Sequence, residues 1–355
     1  MRILFIAGRE IDYGRNEVIL RALRRLGSVD VIGEKGRAKS LLKRNVKIAL
    51  RAIPKLIRRN YNLVYVGFYG HLLMFPVSVL SSSPILFDVF VSTYDTLVGD
   101  RKKISEDSFA GRLCLWLDRS ACGLARHVLL DTDAHREYFI QSIGVNPEII
   151  STLPVGCNEE IFSPRQQKLD STKTRVLYYS TYLPLHGVET VVRAASILKA
   201  EPVVFNLVGE GQEYRRVRNI SEDLQLSNIK FHPTIPAKKL SDMIAEADIC
   251  LGGHFGKSAK ADRVIPGKIY QMLAMARPII ATSTTANNEL LVHGESAYLC
   301  SPDNPTALSV AIMALHQDQF LRLKLAEGGR KQYGLKCSEA VITQRLDEIL
   351  HEIMH

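Results

Sequence analysis

The stretch from Arg263 to Ile280, RVIPGKIYQMLAMARPII, admits few local folds. A Pro-Gly turn leads into a lysine, an apolar helical run, an Arg-Pro break and the β-branched pair Ile279 and Ile280. That order predicts a loop, a helix entered at its N-terminus and a buried strand. Gly267 lets a ligand approach the backbone closely, and helix-start amides beside Lys268 suit a phosphate. The same residues also make an ordinary loop–helix–strand unit in which Pro266 and Gly267 only punctuate the chain.

The chain has 355 residues, long for one core, so two domains are expected. Its six cysteines (Cys114, Cys122, Cys157, Cys250, Cys300 and Cys337) form no C-x-x-C pair, which argues against zinc and for reduced thiols in a cytoplasmic protein. MRILFIAG is too short an apolar run for a signal peptide and reads as a first strand. The most apolar segment, His71 to Leu80, is too short to span a membrane and contains Pro76. Residues 1–165 carry 24 basic and 17 acidic residues, against 22 and 20 in 166–355, so an acidic partner belongs with the first half.

Arg2 to Ala7 reads as a buried strand, Glu17 to Leu26 as a helix and Val29 to Ile32 as a second strand. This opening lacks G-x-G-x-x-G, which disfavours a nicotinamide cofactor. Between Lys35 and Arg59 lie ten basic residues and no acidic one, with Leu42, Val46, Ala49, Leu50, Ile53, Leu56 and Ile57 at helical spacing. A helix with one apolar face and a basic surface can lie on an anionic membrane, each cation contributing about 1 kcal/mol. A core-packed helix with a solvated basic back fits the pattern equally. Nucleic acid ranks third, because no aromatic residue interrupts the run to stack a base.

Tyr61 to Phe68 and Ile85 to Val91 read as strands. Ligands gather at the carboxyl ends of strands in open α/β sheets, which makes Asp88, Ser92 and Asp95 candidates on the acceptor side. His135, in a helix from Ala134 to Ile143, reads as a surface histidine or as one turned towards a ligand. A polar linker from Ser163 to Thr174 divides the chain into domains at 1–165 and 166–335, with a last helix in 336–355.

After the linker an ordered series of motifs appears. It runs Leu207-Val208-Gly209-Glu210-Gly211, Asn228 to Phe231, Ala247-Asp248-Ile249, Phe255-Gly256, Pro266-Gly267-Lys268, Arg277-Pro278-Ile279-Ile280, Glu289, Gly294-Glu295 and Ser301-Pro302-Asp303. This series resembles the nucleotide-binding half of the family-4 retaining glycosyltransferases of the GT-B fold. The resemblance implies an α/β protein of two Rossmann-like domains facing a central cleft, with the last helix crossing back to the first domain. It implies transfer of a sugar from a nucleoside-diphosphate sugar, UDP- or GDP-linked, to a glycan or lipid-linked acceptor with retention, without metal or other cofactor and without nucleic acid. It places the protein in the cytoplasm, with the basic run able to bring it to the inner face of the plasma membrane.

The resemblance assigns roles residue by residue. Arg9 and Arg15, in the first turn, face an anionic donor or acceptor group or remain solvated loop charges. Relatives grip the diphosphate with an arginine and a lysine where this chain has Thr181 and His186. Lys257, Lys260, Arg263 and above all Lys268 are the replacements expected for that charge. Gly209, Gly211, Pro266 and Gly267 shape the donor site, and Thr234 follows the strand against which the base lies. Of the family's paired glutamates the second falls at Gln271, and the first at Arg263 unless Lys257–Asp262 is an insertion. Relatives carry a histidine two positions after the residue matching Asp88, where this chain has Phe90. Asp88, His186 and Lys268 are the catalytic candidates. A sugar-nucleotide 2-epimerase and a non-catalytic partner subunit are the alternatives.

Overall fold

The computed structural model describes residues 1–36, 40–58, 60–101, 103–165 and 173–354. The chain forms two compact units, Met1–Gly156 with Glu339–His355, and Cys157–Ser338. Residues 166–172 of the polar linker, and Arg37, Lys39 and Arg59 of the basic run, lie outside the described residues.

The first unit alternates β1 (Arg2–Ile6), α1 (Gly14–Leu26), β2 (Ser28–Ile32), α2 (Leu41–Ile57), β3 (Leu63–Val66), α3 (His71–Leu80), β4 (Ile85–Asp88), α4 (Phe109–Gly123), β5 (His127–Leu130), α5 (Asp133–Tyr138) and β6 (Ile150–Thr152). The second continues with β7 (Thr174–Tyr179), α6 (Val188–Ile197), β8 (Val203–Val208), α7 (Tyr214–Asp223), β9 (Ile229–His232), α8 (Ala237–Glu246), β10 (Ile249–Leu251), α9 (Ala259–Arg263) and α10 (Gly267–Ala274). It closes with β11 (Ile279–Thr282), α11 (Thr285–Leu290), β12 (Tyr298–Cys300), α12 (Pro305–Gln317) and α13 (Gln319–Lys336), before α14 (Glu339–Met354) returns to the first unit.

Each unit holds one parallel sheet, ordered β2-β1-β3-β4-β5-β6 in the first and β12-β11-β10-β7-β8-β9 in the second. The strands are short and rich in Val, Ile and Leu, as a parallel sheet covered on both faces requires. In the first unit α2, α3 and α4 cover one face through Ile48, Leu73 and Ala121. Helices α1 and α14 cover the other through Leu23 and Leu346. Glu339, at the start of α14, accepts from Arg21 at 2.8 Å and Arg25 at 2.6 Å, both on α1. In the second unit α6 and α12 bury Val191 and Leu308 against Val176 and Phe205.

The structure departs from the sequence expectations in local ways. Helix α1 starts at Gly14 rather than Glu17, because Arg15 and Asn16 are buried in its first turn. The segment from Lys257 to Asp262 runs into the short helix α9, which Ser258 caps by accepting from Ala261 N at 3.1 Å. His135 is not on the surface; it is buried with its Nδ1 2.8 Å from Asp131. The apolar positions of α2 do not form one face. Ile48, Ala52 and Leu56 enter the core, while Leu42, Val46, Leu50 and Ile57 stay exposed.

The loops after β7, β8 and β10 pack backbone against backbone. A Cβ on Gly209, at φ +119, would stand 2.0 Å from the Ser180 carbonyl oxygen, and one on Gly187, at φ +59, 2.0 Å from Gly256 N. Ser180 and Gly209 directly follow β7 and β8, so neither can retreat without disturbing the strand ends. Gly209→Ala is therefore expected to cost about 2 kcal/mol or more, read as a lowered urea midpoint.

Candidate active site

The second sheet places a site before any ligand is considered. From β7 the chain moves through β8 to β9 and then returns to β10 on the opposite side of β7. The carboxyl ends of β7 and β10 thus flank the point where strand order reverses, the usual ligand position in open α/β sheets.

Lys268 lies in the first turn of α10, 9% exposed, and its Nζ has no hydrogen-bond partner among the described residues. Its compensation is aromatic: Nζ sits 4.2 Å from the ring centroid of Tyr178 and 5.8 Å from that of Tyr179. Such contacts contribute up to about 2 kcal/mol when desolvated, less than a buried ammonium needs. Burial accordingly pushes its pKa from 10.5 down to about 7.

Two histidines share this end of the sheet. His186 follows β7 and stacks on His254, which follows β10, with centroids 5.2 Å apart and planes at 15°. Burial and then the Lys268 charge push His186 down to about 3, so it is neutral at pH 7. Its Nδ1 accepts the Leu183 N–H at 3.2 Å, which puts the neutral ring's proton on Nε2. At pH 7 His186 therefore offers a neutral donor, its Nε2–H. His254 is pushed well below its ordinary value by burial and then by His186, Lys268 and Lys260, and its Nδ1 is buried without a partner among the described residues. Sequence reading missed His254; its one signal was its place immediately before Phe255-Gly256. Tyr178 ties these parts together, donating its hydroxyl to the His186 carbonyl at 2.7 Å while its ring underlies Lys268.

Other donor-side candidates divide. Gln271 lies one turn along α10 and accepts from the Tyr179 hydroxyl at 2.6 Å, leaving its NH2 as donor. Pro266 is buried beside Lys268, whereas Gly267 is exposed and a Cβ there would meet nothing within 4 Å. Thr181 is exposed in the loop after β7, Thr234 in the loop after β9, and Arg263 ends α9 half-buried. Gly209 and Gly211 lie against neighbouring loop backbone. A Cβ on Gly211 would stand 1.9 Å from the Thr181 carbonyl oxygen, so both glycines admit neighbouring backbone.

The acceptor-side candidates of the first unit are largely committed to one another. Arg15 and Asp88 are both fully buried and form a bidentate pair at 2.8 to 2.9 Å. Arg15 also donates to the carbonyls of Leu153 and Leu130, and Asp88 also accepts from Tyr65 Oη. Phe90, held at φ +47 where relatives carry histidine, lies over the Arg15 guanidinium at 5.0 Å. Arg15 and Asp88 therefore satisfy each other instead of a ligand. Ser92 is buried, donating to Asp118 at 2.6 Å and accepting from Asp95 N at 2.8 Å, which fixes the loop where Asp95 begins a π-helical turn. Arg9 remains near the surface, paired with Glu10 at 2.7 Å and ringed by Tyr13, Phe68 and Tyr69.

Residues 173–318 match the family model of the group 1 glycosyl transferases. That match contains β7 to β12 and the whole Lys268 site. WcaL of Escherichia coli K12, whose name assigns it provisionally to colanic acid biosynthesis as a glycosyltransferase, is 23% identical over 60% of this chain and 54% of its own length. The match thus spans about half the length of such curated relatives. Among solved structures, sucrose-phosphate synthase from Thermosynechococcus elongatus superposes with a TM-score of 0.80 at 15% identity, covering 99% of this chain and 98% of that one. HepE of Anabaena, solved with UDP and glucose, gives 0.75 at 14% identity, covering 99% of both chains. The fold is that of the GT-B glycosyltransferases.

Two measurements probe these environments. Between about pH 7 and 10.5 the native protein lacks the proton that the unfolded chain keeps on Lys268, so stability rises with pH there and the burial cost is full below pH 7. Lys268→Met is expected to raise the melting temperature at pH 6 and to lose most of that gain by pH 10. Asp88→Ala leaves Arg15 charged and buried, and is expected to cost about 3–5 kcal/mol in urea unfolding.

Proposed function

We propose that this protein transfers a hexose or related sugar from a nucleoside-diphosphate sugar to a glycan or lipid-linked acceptor, with retention of configuration. The observation that carries the reading is the buried, unpartnered Lys268 ammonium at the switch point, in the first turn of a helix whose Gly267 faces open space. A cation so placed is short of an anion, and helix-start amides add donors aimed the same way. UDP is the first candidate, since the HepE structure contains it. Gln271 is positioned to donate to a ribose hydroxyl.

The chemistry is chiefly electrostatic. The bond between the anomeric carbon and the diphosphate breaks, and its electron pair goes to the leaving phosphate oxygen. Lys268, the amides after Pro266 and the neutral His186 Nε2–H stabilise that growing charge. The acceptor hydroxyl attacks the oxocarbenium-like carbon from the face the diphosphate leaves, and its proton passes to the departing phosphate. This route asks no metal ion of the protein. Asp88 has no part in it, and Arg9 and Asp95 are the remaining acceptor-side residues. The reading places the activity in the cytoplasm.

A thermal-shift panel of nucleoside diphosphates and sugar nucleotides tests the reading. A ligand at one hundred times its dissociation constant adds about 2.7 kcal/mol. Wild type is expected to be stabilised by one base, and Lys268→Ala to lose that shift. Gly267→Ala is expected to stabilise the free protein by up to about 1 kcal/mol while weakening the same ligand, because its methyl occupies space the phosphate needs. No shift in wild type with any member of the panel would overturn the proposal.

A further inference from the structure

Helices α2, α3 and α4 cover one face of the first sheet, and their outer surface is unusually apolar. On α2 the side chains of Leu42, Val46, Leu50 and Ile57, spaced by four, four and seven residues, share one side of the helix and point away from the core; Leu50 is 63% exposed. Helix α2 packs on α3, and α3 on α4. Val79 of α3 is 81% exposed, and on α4 Phe109 is 82% and Trp116 55% exposed. The Trp116 ring stacks on Phe75 of α3 at 5.7 Å and 17°, joining the two helices across the surface. The apolar face is thus spread across three neighbouring helices.

Charge says what would cover it. Lys43, Lys47 and Arg51 lie one position after Leu42, Val46 and Leu50, so a basic row runs beside the apolar row on the same helix. Lys47 pairs with Glu34 and Lys55 with Asp30 of the edge strand β2, which sets the basic row towards the sheet edge and the apolar row towards α3. Within residues 40–58 there is no acidic side chain. An apolar surface bordered by cations, with an aromatic stack on it, matches the acyl and headgroup layers of an anionic bilayer.

We propose that the outer face of α2, α3 and α4 seats the first unit on an anionic membrane, with Leu50 and its neighbours among the acyl chains, Trp116 at the interface and Lys43 and Arg51 on the headgroups. The core-facing row and the membrane-facing row of α2 are separate, so docking requires no unfolding. The inference stands on this surface alone and holds whether or not the donor site transfers sugar.

Trp116 is the only tryptophan of the chain, so it reports directly. With vesicles of equal parts phosphatidylcholine and phosphatidylglycerol, its emission is expected to shift to the blue and to be quenched by brominated acyl chains. Phosphatidylcholine alone should give little change. Arg51→Ser should weaken partitioning about fivefold, and Leu50→Ser more than tenfold. Both positions are exposed, so each variant should keep the wild-type melting temperature. Unchanged emission with anionic vesicles would overturn the inference, as would binding that survives both substitutions. Lipid-free dimerisation abolished by Leu50→Ser would instead assign the face to a second copy.

Discussion

A buried ammonium needs an anion, and Lys268 is given an aromatic ring. Much of the second unit's arrangement around the switch point follows from that imbalance. Tyr178 supplies the ring and also holds the His186 carbonyl, and His186 in turn stacks on His254. Both imidazoles are kept neutral by burial and by the lysine's own charge. The glycine contacts between the loops after β7, β8 and β10 bring these side chains within reach of one another. The result is a preorganised cluster of one lysine and two neutral rings with nothing of negative charge among its described partners.

The first unit solves the same problem of its strand ends in the opposite way. At the ends of β4 and β5 it pairs Arg15 with Asp88, holds His135 against Asp131 by a hydrogen bond, and ties the following loop to Asp118. Buried pairs of this kind leave little to attract a small anion. One sheet end is internally neutralised and the other is short of an anion.

The alternation of strands and helices was legible in the sequence because apolar runs and Pro or Gly breaks mark each element locally. Lys268 was legible for the same reason, since Pro-Gly-Lys before an apolar helix is a contiguous signal. The Arg15–Asp88 pair was not, because its members lie 73 positions apart and each, taken alone, looks like a charge at a loop. His254 was hidden because its place comes from stacking on a residue of another strand's loop. The periodicity of α2 was visible, but a helical wheel cannot say which of two adjoining apolar arcs the sheet will cover. The close approach that Gly209 and Gly211 permit, to Ser180 and Thr181, was not legible because it joins the loops after two different strands.

In the proposed donor site Lys268, whose pKa burial lowers to about 7, takes up a proton when a diphosphate docks. Calorimetry at pH 8 with the stabilising nucleoside diphosphate, run in two buffers of different ionisation enthalpy, tests it most directly. An anion docking on Lys268 raises the amine's pKa, so the account predicts uptake of close to one proton per ligand, lost in Lys268→Met. Heat that is the same in both buffers, with wild-type affinity retained in Lys268→Met, would contradict it.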